Sequence, residues 1–129
     1  MGIRDLCEQE FDAARSDSRV CMVTDLDLDG ARQDGRTRAL ARETIAKLPE
    51  LVHVSFDIDA LDPSLCPGTG TPVPGGLGWD ETMVWLDELA KSGRRVVSLD
   101  LDEVASDEWD AIVGSRLLYR LIGCALATR

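Results

Sequence analysis

Histidine is nearly missing from this sequence: His53 is the only one in 129 residues. A metal centre built from several imidazoles of this chain is therefore excluded. Cations are also scarce, with 14 Lys and Arg against 24 Asp and Glu and a formal net charge of -10. That field repels phosphate backbones and anionic headgroups, so nucleic acid and membrane surfaces are poor partners, whereas a cationic substrate or a divalent metal suits it. No apolar run approaches the roughly 20 residues that cross a bilayer. Arg4, Asp5 and Glu8 stand where a signal peptide would be apolar, which predicts a cytoplasmic protein. Cys7, Cys21, Cys66 and Cys124 have no zinc-ligand or redox-motif spacing, and reduced thiols are expected.

What is present suffices for one core, at 44% hydrophobic residues. Leu6 to about Ser16 has helical composition, Arg19 to Thr24 reads as a short apolar strand, and Asp25 to Gly35 reads as loop. Helical spacing of Ala39, Leu40, Ala41, Ile45, Ala46 and Leu48 predicts a helix from Arg36 to Lys47, stopped by Pro49. Leu51 to Ile58 is a continuous apolar run, the pattern of a strand covered on both faces. A Pro/Gly segment over 62–78 predicts an ordered functional loop. Trp79 to Lys91 is an amphipathic helix, Arg95 to Leu101 a strand, and Trp109 to Ala127 a closing helix with Asp107 or Asp110 as its N-cap. This alternation predicts an α/β protein, a partial three-layer αβα sandwich with a mainly parallel sheet. Met1 to Arg4 is too short for a full strand of about five or six residues, so the chain is expected to open within an element.

The chemistry gathers at strand ends. In Ser55-Phe56-Asp57-Ile58-Asp59 two aspartates sit two residues apart where the apolar run stops, and an extended backbone points both to one side. Such a pair repels itself unless a cation intervenes, and hard divalent ions such as Mn²⁺ prefer oxygen donors. The same tripeptide also serves as a turn former or helix cap. Asp100-Leu101-Asp102-Glu103 ends the next strand in the same way, at the sheet edge where α/β proteins place their sites. Asp25 to Gly30 opens like a calcium loop, but Arg36 stands where the bidentate glutamate belongs, so calcium is not the reading. His53 lies about 13 Å from Asp57 along an extended strand and is expected to be a satisfied structural imidazole.

The stretch Ser55 to Pro63, the loop Pro67-Gly68-Thr69-Gly70-Thr71-Pro72 with Gly75-Gly76-Leu77, the opening Gly2-Ile3-Arg4-Asp5 and the later Asp100 to Val104 together resemble the ureohydrolase family of arginase, agmatinase and formimidoylglutamase. The wording of 66–77 and 108–119 is most similar to a bacterial arginase-type branch. The resemblance implies that residues 1–129 are the C-terminal portion of a single ureohydrolase domain, without its N-terminal half. It implies a dimanganese hydrolase that releases urea from a small cationic guanidino compound, arginine or a relative, by water activated between two Mn²⁺ ions. It also implies a homo-oligomer in the complete protein.

By position, the resemblance makes Asp57 a ligand of both metals and Asp59 a ligand of one. Glu103 would hold the guanidinium through paired charged hydrogen bonds, Thr71 would line that pocket, and Glu10 would recognise the substrate's far end. Cys7 stands where arginases carry an aspartate, Ala60 where glycine is common, and Gly78 where a capping serine is usual. The family's histidine ligands and proton-shuttling histidine come from a region with no counterpart here, so the chain alone is expected to be inactive. The alternative expectation is a non-catalytic half-domain that associates with a partner subunit.

Overall fold

A computed structural model describes all residues, 1–129. The order is α1 (Glu8–Ser16), α2 (Asp25–Gln33), α3 (Thr37–Ile45), β1 (Leu51–Asp57), a 3-10 turn (Ile58–Ala60), α4 (Trp79–Lys91), β2 (Arg95–Asp102) and α5 (Glu108–Ala127). It is an α/β fold with a small parallel sheet and flanking helices, as the alternation predicts. β1 and β2 pair in parallel from Leu51 opposite Arg95 to Asp57 opposite Asp102, with one irregularity between Val52 and His53. Both strands therefore deliver their terminal carboxylates to the same edge.

The β1 run is covered on one face only, which corrects the expectation of two. Val52 and Phe56 are buried, while Leu51, His53, Ser55 and Asp57 are exposed. The core joins Phe56 and Ile58 to Ile45 of α3, Trp85 and Leu89 of α4, and Val113, Leu117 and Leu121 of α5. Burying each such side chain contributes about 1.5–3 kcal/mol. Glu88, 4% exposed, ties α4 to α3 by accepting from Arg38 and from Arg42 Nε at 2.6 Å.

Two other expectations fail for identifiable reasons. Residues 19–24 form no strand; Thr24 alone bridges in parallel to Ile3, with Asp25 N donating to Ile3 O at 3.0 Å. Asp25 to Gln33 is helix rather than loop, because Thr24 and Asp27 cap it reciprocally: Thr24 Oγ1 accepts from Asp27 N at 3.2 Å and Asp27 Oδ2 accepts from Thr24 N at 2.8 Å. Of the acids that resemble a calcium loop, Asp25 and Asp27 lie in the first turn, where they favour the positive end of the helix. Thr24→Ala is expected to cost about 1 kcal/mol in urea unfolding, and an unchanged midpoint would show that α2 does not need its cap.

Candidate metal and substrate site

β1 ends at Asp57 and the chain turns at once into Ile58–Ala60, anchored by buried Ile58 and Leu61. Asp57 Oδ1 accepts from Asp59 N at 3.1 Å, so the first carboxylate caps the turn that presents the second. Thr71 Oγ1 donates to Asp59 Oδ2 at 2.8 Å, bringing the Pro/Gly loop onto the strand end. That loop is fixed where Leu61 and Leu77 bridge in parallel, with Asp62 N donating to Leu77 O and Leu77 N to Ala60 O, each at 2.9 Å.

Asp57, Asp59, Thr71 and Glu10 line one cavity of about 590 Å³, together with the opening segment through Cys7. Four of the five expected site residues thus share a space. Glu10 does so while capping its own helix: Oε2 accepts from Cys7 N at 3.0 Å, which holds its carboxyl below the usual range.

Glu103 is the exception, being absent from that cavity's walls. It stands beside the site at a positive φ of 61°, a conformation rare outside glycine, with its backbone carbonyl accepting from Thr69 Oγ1 at 3.3 Å. Its charge reaches Asp57. Burial first, then the charges of Asp59 and Glu103, push the Asp57 carboxyl above its ordinary value, partly offset by the Asp59 N–H.

His53 takes no part. Nδ1 meets Ser98 Oγ at 2.7 Å and Nε2 pairs with Asp100 Oδ2 at 3.0 Å, so both ring nitrogens are satisfied across the two strands. The expectation of a structural imidazole is met.

The sequence reading overlooked the residues that hold the loops. Asp25 Oδ1 accepts from Gly76 N at 3.1 Å, and Arg32 Nη2 donates to Gly76 O at 2.9 Å while its Nε binds Glu81 at 2.8 Å. Arg4 donates to backbone carbonyls in three segments at once: Val73 O from Nε at 3.0 Å, Gly2 O from Nη1 at 3.0 Å and Asp59 O from Nη2 at 2.7 Å. Paired glycines and a lone early arginine were the available signals.

The sequence matches the arginase family over residues 1–125. This chain belongs to the arginase family. It is 40% identical over 84 residues to an agmatinase of Pyrococcus horikoshii, covering 63% of this chain and 29% of that protein. It is 30% identical over 127 residues to the N(1)-aminopropylagmatine ureohydrolase of Synechocystis, covering 95% and 39%. Among solved structures it is similar to the arginase of Bacillus caldovelox, with 32% identity, a TM-score of 0.77 and coverage of 96% of this chain and 40% of that one. The Bacillus subtilis arginase gives 27% identity, a TM-score of 0.80 and coverage of 96% and 43%. The chain thus spans well under half the length of these relatives.

Members of the arginase family bind Mn²⁺, and two carboxylates here fit part of such a donor set. The Asp57 carboxyl is raised first by burial and then by the charges of Asp59 and Glu103, with no lysine or arginine pairing to offset them. A hard divalent ion supplies that compensation. No three His, Cys, Asp or Glu side chains of the chain gather into a full metal-ligand set, so the two carboxylates are a partial one.

In the first turn of α5, Asp110 grips the Pro/Gly loop: it is fully buried, and Oδ2 accepts from Gly68 N at 3.1 Å while Oδ1 has no partner. Burial, then the neighbouring Asp107, push its carboxyl up. A raised folded-state value means that the native state holds the proton more tightly. The stabilisation is therefore complete below the unfolded carboxylate range and is lost as pH rises through the folded value. Asp110→Asn is expected to flatten the weakly acidic limb of the stability profile and raise stability at neutral pH; a variant less stable than wild type there would contradict this.

Proposed function

We propose that this chain supplies the Asp57–Asp59 side of a dimanganese ureohydrolase site that hydrolyses a small cationic guanidino compound, arginine or a relative, releasing urea. The observation that carries the reading is the convergence of Asp57, Asp59, Thr71 and Glu10 on one cavity within an arginase-family sequence. Asp57 and Asp59 would hold metal. Two Mn²⁺ ions in such a site lower the pKa of water so that hydroxide is available at neutral pH.

The chain's own residues have separable tasks. Thr71 fixes the rotamer of Asp59 by its hydrogen bond. The cavity's charged side chains are the acids Asp5, Glu10, Asp57 and Asp59 and the engaged Arg4, a predominance of negative charge that favours a cation. Glu103, held next to Gly70, is the candidate to grip the guanidinium as a planar pair of charge-assisted hydrogen bonds.

Because the relatives are more than twice as long, the remaining donors are proposed to come from polypeptide outside these 129 residues, within a homo-oligomeric complete protein. Exposed Tyr119, Ile122 and Leu126 along α5 suit further packing. Four free cysteines, two of them exposed, suit a reducing cytoplasm. Urea release from arginine, agmatine and guanidinobutyrate with excess Mn²⁺ tests the proposal. The expected outcome is no turnover by the chain alone and turnover once the missing donors are supplied; turnover of none of the three by the completed protein would refute it.

A further inference from the structure

We propose that Arg4 is the positioning residue of this carboxylate site, a reading that rests on the assignment of Asp59 to metal binding. The three segments that wall the cavity are the opening chain, the turn after β1 and the Pro/Gly loop, and Arg4 is bonded to each of them. Its Nη2 donates to the carbonyl of Asp59 itself at 2.7 Å and to that of Leu61 at 3.4 Å, so it holds the Asp59–Ala60 and Leu61–Asp62 peptide planes. Its Nε holds Val73, two residues from the Thr71 hydroxyl that binds the Asp59 carboxylate. One planar cation thereby sets both the backbone under Asp59 and the distance of the loop that orients its side chain.

The chemistry is specific to a guanidinium. Its five donors leave in fixed in-plane directions, matching carbonyls that approach from three sides, whereas an ammonium is a point charge on a flexible stem. Its hydrogen bonds all go to backbone carbonyls rather than to carboxylates. The neighbouring backbone is built around it. Gly75 has a φ of 94°, and a Cβ there would lie 2.5 Å from Asp25 Oδ2 and 3.3 Å from Arg4 Cδ. Gly2, with a φ of 74°, turns the opening segment so that its carbonyl meets Nη1.

Amide hydrogen exchange measured by NMR on the full chain, wild type against Arg4→Lys and Arg4→Met, tests the assignment. Exchange at Asp59, Leu61 and Leu77 is expected to quicken by about tenfold or more while α4 and β2 keep their protection, because only the local opening is altered. Lys is expected to rescue little, since it cannot span three carbonyls. Exchange within about twofold of wild type at those amides, or an equal acceleration through the whole core, would overturn the proposal, the latter by showing a merely structural stitch. Should both variants fail to fold, the wild-type guanidinium decides: its nitrogens are expected to show hindered rotation, and free rotation refutes the claim. Added Mn²⁺ separates the two readings, because absent broadening at Asp57 and Asp59 in wild type removes the metal assignment without touching the exchange result.

Discussion

Gly76→Ala is expected to cost about 3 kcal/mol or more, enough to unfold a large fraction of a marginally stable chain. Gly76 has a φ of 94°, where side chains are strained. Space is lacking as well: an added Cβ would lie 2.8 Å from Ala60 O and 2.9 Å from both the carbonyl carbon and oxygen of Leu61. All three are backbone atoms of the segment that carries Asp59. Gly76 has no room to retreat, because Asp25 holds its N–H, Arg32 its carbonyl and the Leu61–Leu77 bridge the next residue. Gly123→Ala provides the control, lying inside α5 with nothing within 4 Å of the new carbon. It is expected to gain up to about 1 kcal/mol from helix propensity. Urea unfolding of the pair measures both, and equal midpoints would show that the 76 position is not tightly packed.

Asp57→Asn is expected to have opposite effects on function and on stability. In any completed protein that releases urea, removing this proposed ligand should lower kcat/KM by roughly a hundredfold to a thousandfold, the scale seen when one electrostatic group of a reaction centre is deleted. Without metal, the same change should stabilise the chain. The ionised carboxylate is partly desolvated and faces Asp59 and Glu103, so the native state prefers it protonated, and that preference is lost as pH rises through its folded value. Asn removes the charge while its oxygen can still accept from Asp59 N. A site that is costly to its own fold is expected where a cation is to be bound. Thermal unfolding without Mn²⁺ at neutral pH measures the stability half, and a lower midpoint for the variant would contradict it.

Elements with a strong apolar period were legible. α4 and α5 show their buried stripes, and β1 and β2 follow from short runs rich in β-branched residues that end in aspartates. The open face of β1 was not legible, because an apolar run says nothing about how much protein lies on each side. α2 was missed because its acids suggested a solvated loop, although Thr24 and Asp27 at capping-box spacing were there to be read. At the site, the aspartate spacing pointed to Asp57 and Asp59, which the structure brings to one cavity. The positive φ of Glu103 is a feature that no side-chain pattern announces. Arg4 was invisible as an organiser because its partners are backbone carbonyls, 55 and 69 residues away for Asp59 and Val73.

The most direct measurement is Mn²⁺ titration of the isotope-labelled chain, followed residue by residue through paramagnetic broadening. Broadening that begins at Asp57–Ala60 and Thr71 before any other acidic region, and disappears in the doubly neutralised Asp57→Asn, Asp59→Asn protein, is the predicted result. Broadening spread evenly over surface acids such as Asp12, Glu43 and Asp80, unchanged by those substitutions, would contradict the assignment of this strand end to metal.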